Sequence, residues 1–288
     1  MSKDINLEEV KKFWPQSAPN IDSIKKYVKK YQNEKIVIKY GGNVLIDKDI
    51  FDNFIEDISI LNRLGISIIV VHGGGPRIKR ELDKSNIQTK FIRGLRVTDK
   101  NIIKTIESVL IDFNNDIVSA LTKKGLQAIP INTKINNIIN VIPEKEELGF
   151  VGIPEKINTQ VVKNITDRNQ IPVVAPLGLG ANNEPYNING DIAAGAIAKS
   201  LNARRLLLMT NVEGVLDKEK KLITEISSSK ILEMIKDEII TGGMIPKINT
   251  CLDAVNKGVR GVVIMDGRKN HSILNEIFSD TGVGTLIR

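Results

Sequence analysis

Short runs of β-branched and leucine-rich sequence recur along this chain, separated by stretches with helical spacing. The runs are KIVIKY (35–40), ISIIVVH (66–72), LQAIPI (126–131), IPVVAPL (171–177), RRLLLMT (204–210) and GVVIMD (261–266). Such runs read as buried strands. Helical patterns lie between or after them: PRIKRELDKS from Pro76, a favoured position in a first helical turn, KNIIKTIESVLIDFNNDIVSALTKKG, DIAAGAIAKSLN, SSKILEMIKDEI, IPKINTCLDAVNKG and NHSILNEIFSD. Strand–helix alternation of this kind predicts an α/β fold, a mostly parallel sheet covered by helices on both faces.

Length and composition narrow the classes. The 288 residues allow one large or two smaller domains. No run approaches the roughly 20 apolar residues of a membrane span. The opening MSKDINLEEVKKFW carries charges throughout and no apolar signal core, and the single cysteine, Cys251, excludes an internal disulfide. The expectation is a cytoplasmic protein with no membrane partner. The net charge of +7 raises nucleic acid as a partner, but basic residues are dispersed and aromatics are only 4%, so a base-stacking surface is not expected. An anionic small molecule fits the same charge. Two histidines are too few for a histidine-rich metal site.

Three regions stand apart. In residues 1–33, NIDSIKKYVKKYQ places Ile21, Ile24, Tyr27, Val28 and Tyr31 on one stripe with lysines opposite. That stripe packs either on its own domain or against another subunit. Residues 135–153, INNIINVIPEKEELGFVGI, read as a β-hairpin, either a lid over a site or an ordinary edge hairpin. The turn-rich PLGLGANNEPYNINGD (176–191) is the candidate boundary between two lobes. The expected division is an N-terminal helical extension (1–33), a substrate lobe (34–180) and a nucleotide lobe (181–288).

Candidate chemistry sits at strand ends, where open α/β sheets hold ligands. Lys39, Gly41 and Gly42 end the first strand, and Gly73, Gly74 and Gly75 end the second, just before a helix whose N-terminus suits an anion. Neither fits a P-loop or a dinucleotide fingerprint. Arg96 is a candidate carboxylate clamp. Asn187, Asn189 and Asp191 precede or open a helix, and Asp191 is either an N-cap or a functional carboxylate. Together these residues suggest phosphoryl transfer. Positive charge is needed around the migrating group, and lysines held by one shared carboxylate supply it, which gives Lys39, Asp191 and Lys247 a common purpose. No carboxylate pairs stand at metal-ligand spacing, so no protein-held metal site is expected and Mg²⁺ would arrive with a nucleotide.

The ordered set IKYGGN, VHGGGP, GLRVTD, YNINGD, TNVEGVLD and GGMIPK resembles the amino acid kinase family from residue 35 to the C-terminus. The resemblance implies a three-layer α/β/α sandwich with a substrate-binding N-terminal lobe and a nucleotide-binding C-terminal lobe. It further implies ATP-dependent phosphorylation of the γ-carboxylate of N-acetyl-L-glutamate, with a related acidic amino-acid derivative such as N-acetyl-aminoadipate, or a non-catalytic sensor on the same fold, as alternatives. By the same resemblance Lys39 and Lys247 stabilise the transition state and Asp191 positions both. Gly41, Gly42, Gly74 and Gly75 donate backbone amides, and Arg96 and Asn187 hold the substrate. Thr210, Asn211, Val212, Gly214, Gly242, Gly243 and Met244 lie near ATP, with Asn211 standing where many relatives carry aspartate. The N-terminal extension and NEIFSDTGVGTLI are similar to arginine-inhibited members that form homohexamers. That similarity implies an L-arginine site around Tyr27, Tyr31, Glu276, Asp280, Gly282 and Gly284.

Overall fold

The computed structural model describes residues 7–41 and 47–288. Its centre is an eight-stranded sheet. In spatial order the strands are Glu225–Ile226, Thr285–Ile287, Val262–Asp266, Arg205–Thr210, Lys35–Tyr40, Ser67–His72, Ile171–Val174 and Ala128–Ile131. The six strands foreseen in the sequence are mutually parallel. The two added at one edge are short: Thr285–Ile287 runs antiparallel to Val262–Asp266 and pairs in parallel with Glu225–Ile226.

Strand alternation explains the three layers. Ile36, Ile38, Ile68, Val70, Leu207 and Met209 belong to one core, and Val37, Ile69, Val71, Leu206 and Leu208 to another. Successive side chains leave opposite faces, so both faces are apolar and both need cover. The first face is covered by Lys48–Arg63, the C-terminal part of Lys100–Lys123, Ser272–Ile277 and the N-terminal helix Lys25–Tyr31. The second is covered by Thr159–Thr166, Gly190–Ser200, Ser228–Lys236 and Met244–Asn256. This is the expected α/β/α sandwich. Among the described residues no helix is long and apolar enough to cross a membrane.

The N-terminal stripe is buried on its own chain: Ile24, Tyr27, Val28 and Tyr31 are at most 6% exposed and share the first core. The 135–153 hairpin forms as Ile139–Pro143 against Gly152–Ile157, but it does not edge the main sheet. It belongs to a second sheet of four strands, with Leu177–Leu179 and Pro185–Asn187, so the turn-rich 176–191 stretch also contains a strand pair. Phe91–Ile92 and Leu95–Arg96 form a separate two-stranded ribbon, turned by Arg93 at φ 51° and Gly94 at φ 80°. Positive φ at both central residues matches the right-handed strand twist.

Candidate active site

The sheet order reverses at Lys35–Tyr40, whose neighbours are Ser67–His72 on one side and Arg205–Thr210 on the other. The crevice beyond the carboxyl ends of such strands is where an open α/β sheet holds its ligand. Lys39 shares a face with Val37, so its side chain leaves the strand toward helix Gly190–Ser200. Gly190, the first residue of that helix, lets it pass: a Cβ there would lie 3.3 Å from Lys39 Cε.

Asn189 caps the helix. Its side-chain oxygen accepts from the amides of Asp191 and Ile192 at 2.9 and 3.3 Å. Asp191 is therefore a helix residue, not the cap, and its carboxylate is free for two cations. Lys39 Nζ stands 2.9 Å from Oδ1 and Lys247 Nζ 2.5 Å from Oδ2. The Lys247 contact is a hydrogen bond, whereas the Lys39 ammonium approaches Oδ1 as an ion pair without hydrogen-bond alignment. The three side chains are only 10–15% exposed. Burial alone would push the Asp191 carboxyl up; the charges of Lys39 and Lys247 outweigh it and hold the group well below the usual carboxylate range. Asp191 is thus an anion at any physiological pH.

Lys247 lies in the first turn of helix Met244–Asn256, opened by Gly243 without a side-chain cap. Gly242 takes φ 57°, the left-handed region open to glycine. The segment GGMIPK therefore has a plain structural reading: the glycines shape the turn, Pro246 needs no amide in a first helical turn, and Lys247 follows on the face turned to Asp191.

Two depressions are lined by members of the triad, and one more lies beyond the start of helix Met244–Asn256. A cleft of about 210 Å³ is lined by Lys39, Gly74, Gly75, Arg96, Asn187 and Asp191 among others. Among the described residues the amides of Gly74 and Gly75 have no acceptor, as expected at an uncapped helix start. Arg96 is buried, lies over the Phe91 ring at 4.6 Å and bonds Thr89, with no carboxylate in ion-pair range among the described residues. Burial lowers its guanidinium from the usual value. Asn187 Nδ2 donates to Thr98 Oγ1 at 3.4 Å. Val151, on the second-sheet hairpin, closes one side of this cleft. Across Asp191 an adjoining space of about 400 Å³ is lined by Gly242, Gly243, Lys247 and Arg93. A third groove, of about 640 Å³, is lined by Val212, Gly214, Ile240 and Met244.

The sequence candidates therefore gather with few exceptions. Gly41 adjoins the triad: a Cβ there would fall 2.2 Å from Lys39 Nζ. Gly42 lies outside the described residues. Thr210 and Asn211 bond each other at 3.3 Å at the end of their strand and do not line the third groove. Among the described residues no group of three or more His, Cys, Asp or Glu side chains is placed to hold a metal.

The residues singled out as an effector site also meet. Tyr27 Oη donates to Asp280 Oδ1 at 2.8 Å, and Lys26 pairs with the same carboxylate at 2.9 Å. Glu276 accepts from the amides of Val283 and Gly284 at 2.8 and 3.4 Å, and burial pushes its carboxyl up. Gly282, at φ 67°, abuts Glu276, where a Cβ would lie 2.5 Å from Oε2. Tyr31 is buried beneath Arg204 at 5.7 Å.

A three-layer α/β sandwich with two lysines held by one aspartate at its switch point is an arrangement suited to phosphoryl transfer. A profile of the amino acid kinase family matches residues 34–266, and the chain belongs to that family. Within it the similarity points to one branch. The chain is 53% identical over 281 residues to the acetylglutamate kinase of Pelagibacter ubique, covering 98% of each, and 44% identical to that of Granulibacter bethesdensis, covering 91% of this chain and 93% of the relative. In three dimensions it resembles N-acetylglutamate synthase from Neisseria gonorrhoeae with a TM-score of 0.83 at 21% identity, over 92% of this chain. The chain spans 62% of that synthase, so the likeness is one of fold.

Proposed function

We propose that the protein catalyses transfer of the γ-phosphoryl group of ATP to the γ-carboxylate of N-acetyl-L-glutamate, giving N-acetyl-L-glutamyl 5-phosphate, the second step of arginine biosynthesis. The observation that carries this reading is the pair of ammonium groups bound to opposite oxygens of Asp191, beside the amides of Gly74 and Gly75, which have no acceptor among the described residues.

The attacking carboxylate is ionised at neutral pH, so no general base is needed. What the reaction needs is charge neutralisation and alignment. Lys39, on the cleft side, faces the group in flight and the attacking oxygen. Lys247 faces the leaving oxygen. Asp191 offsets their mutual repulsion and fixes their separation, and because it remains ionised it takes no proton. Arg96 and Asn187 hold the α-carboxylate and neighbouring atoms of the substrate. The groove lined by Val212, Gly214 and Met244 suits a nucleotide, with Gly242 and Gly243 toward its phosphates. ATP supplies the phosphoryl group, and Mg²⁺ would enter with it, bound to its phosphates.

Trapping the acyl phosphate with hydroxylamine tests the reading. Hydroxamate should form only with ATP and N-acetyl-L-glutamate together. A one-methylene change such as N-acetyl-aminoadipate is worth about 1–3 kcal/mol of discrimination, so it should react measurably more slowly. Equal or faster reaction with the longer acid would reassign the substrate. No ATP consumption with any acceptor would favour a sensor.

The contact of Tyr27 with Asp280 ties the N-terminal helix to the C-terminal loop and supports inhibition by L-arginine there, where a guanidinium would displace Lys26 from Asp280. Loss of inhibition in Asp280→Ala, with uninhibited turnover kept, is the expected outcome. Homohexamer assembly is part of the same proposal, and sedimentation measures it.

A further inference from the structure

His72 lies immediately before the glycine turn and is fully buried. Its two ring nitrogens are both engaged. Nδ1 stands 2.8 Å from the carbonyl oxygen of Gly73, and Nε2 stands 3.2 Å from Asn114 Nδ2. A carbonyl only accepts, so Nδ1 carries the proton. Asn114 Nδ2 also donates to Val173 O at 2.9 Å, which fixes its amide orientation, so Nε2 accepts. Asn114 Oδ1 in turn accepts from Asn132 Nδ2 at 3.4 Å, and Asn132 Oδ1 closes a turn by accepting from Lys134 and Ile135 amides at 2.9 and 3.0 Å. Asn114 and Asn132 are at most 2% exposed. A relay of three buried side chains therefore runs from the loop after Ala128–Ile131, through helix Lys100–Lys123, to the backbone of the glycine turn.

We propose that His72 is a positioning residue: by pinning the Gly73 carbonyl inward it turns the Gly74 amide toward the cleft as a donor to the phosphoryl group in flight. In a trans peptide the C=O and the following N–H point in opposite directions, so holding one aims the other. The Gly74 amide has no other partner among the described residues. A Cβ at Gly74 would lie 2.3 Å from Leu110 Cδ2, so the peptide lies tight on helix Lys100–Lys123 while its N–H stays available. Burial pushes the imidazole down to about 4, which keeps it neutral and preserves this tautomer across the working range. The proposal rests on the phosphoryl-transfer reading given above.

Two isosteres separate positioning from packing. An asparagine amide nitrogen falls where Nδ1 lies, and a glutamine amide nitrogen falls nearer Nε2. His72→Asn should keep kcat within about threefold of wild type although it leaves a void. His72→Gln fills the space better but loses the Gly73 bond, and kcat should fall by at least about tenfold, a fraction of the effect of deleting an oxyanion donor. Apparent constants for N-acetyl-L-glutamate should change little in either. A kcat order that follows melting temperature, with Gln at or above Asn, would overturn the proposal. If neither variant folds, ¹⁵N-histidine NMR of the wild-type protein decides: a protonated Nδ1 with bare Nε2 from pH 6 to 8 is required, and the opposite tautomer is incompatible. Absence of hydroxamate in wild type would reject the reaction assignment instead and leave the tautomer measurement standing.

Discussion

Asn189 and Asp191 divide two tasks that sequence alone leaves to either. The Asn189 side chain accepts from the amide of Asp191 at 2.9 Å, so the cap comes from one residue and the functional carboxylate from the other. Replacing Asn189 by alanine should cost about 1 kcal/mol through the lost cap. It should also reduce kcat, because the first turn that aims Asp191 frays. Asn189→Ser should recover both. Thermal melting and ADP release measure the two effects, and an unchanged kcat in the alanine variant would separate the cap from catalysis.

Gly41 is constrained by its neighbour. A methyl group there would occupy the place of the Lys39 ammonium, at 2.2 Å. Gly41→Ala should displace Lys39 and lower kcat by about 10²-fold, the scale of an ångström misplacement in an active site. Melting should stay near wild type, since the far end of a lysine yields more easily than packed backbone. Wild-type kcat in this variant would show that the ammonium works from another position.

Arg96 is buried with no carboxylate beside it among the described residues, which suits a site that receives an anion. Arg96→Ala should raise the apparent KM for N-acetyl-L-glutamate by about 10- to 100-fold, the equivalent of one charged hydrogen-bonded contact, with a smaller change in kcat. Arg96→Lys should recover part of that loss, because it keeps the charge without the planar fork. Unchanged KM would remove Arg96 from the substrate site.

One buried pair should leave its own mark on the pH dependence of stability. Asp57 Oδ1 and His271 Nδ1 are 2.7 Å apart, and burial of Asp57 outweighs the histidine and raises its carboxyl to about 6, while the Asp57 bond raises His271. Both folded values exceed the unfolded ones. The stabilisation is therefore complete below the unfolded values and fades as pH rises through the folded ones. Wild type should lose on the order of 2 kcal/mol between pH 5 and pH 8 relative to Asp57→Asn. The depressed imidazole of His72 acts in the opposite sense within this window but in both proteins alike, so the comparison with Asp57→Asn removes it; the depressed carboxyls of Asp191, Asp253 and Asp266 act in that sense only at lower pH. A wild-type melting temperature that rises across the window relative to the variant would contradict the assignment.

The parallel sheet was legible because each central strand is apolar on both faces, and glycines mark the ends of two of them. Lys39, Asp191 and Lys247 were legible as a group because three cation or anion positions on glycine-flanked turns have one economical use. Other features were not read. Thr285–Ile287 and Glu225–Ile226 are three- and two-residue strands with too few side chains for a period. Lys48–Arg63 does carry a helical signal, Phe54, Ile55, Ile58 and Leu61 being buried at helical spacing, but it lies outside the helical patterns picked out from the sequence. The place of 135–153 in a second sheet depends on contacts with 177–187, which periodicity does not encode. His72 gave no local sign of a role, because its partners Asn114 and Asn132 are 42 and 60 positions away and become partners only when the sheet closes.

In the proposed mechanism both ammonium groups act on phosphorus, held apart by Asp191. The most direct measurement is single-turnover hydroxamate formation at saturating ATP and N-acetyl-L-glutamate in Lys39→Ala and Lys247→Ala, with melting temperature recorded in parallel. A loss of about 10²- to 10³-fold in each, with the fold retained, is the expected outcome. Wild-type turnover in either folded variant would contradict it.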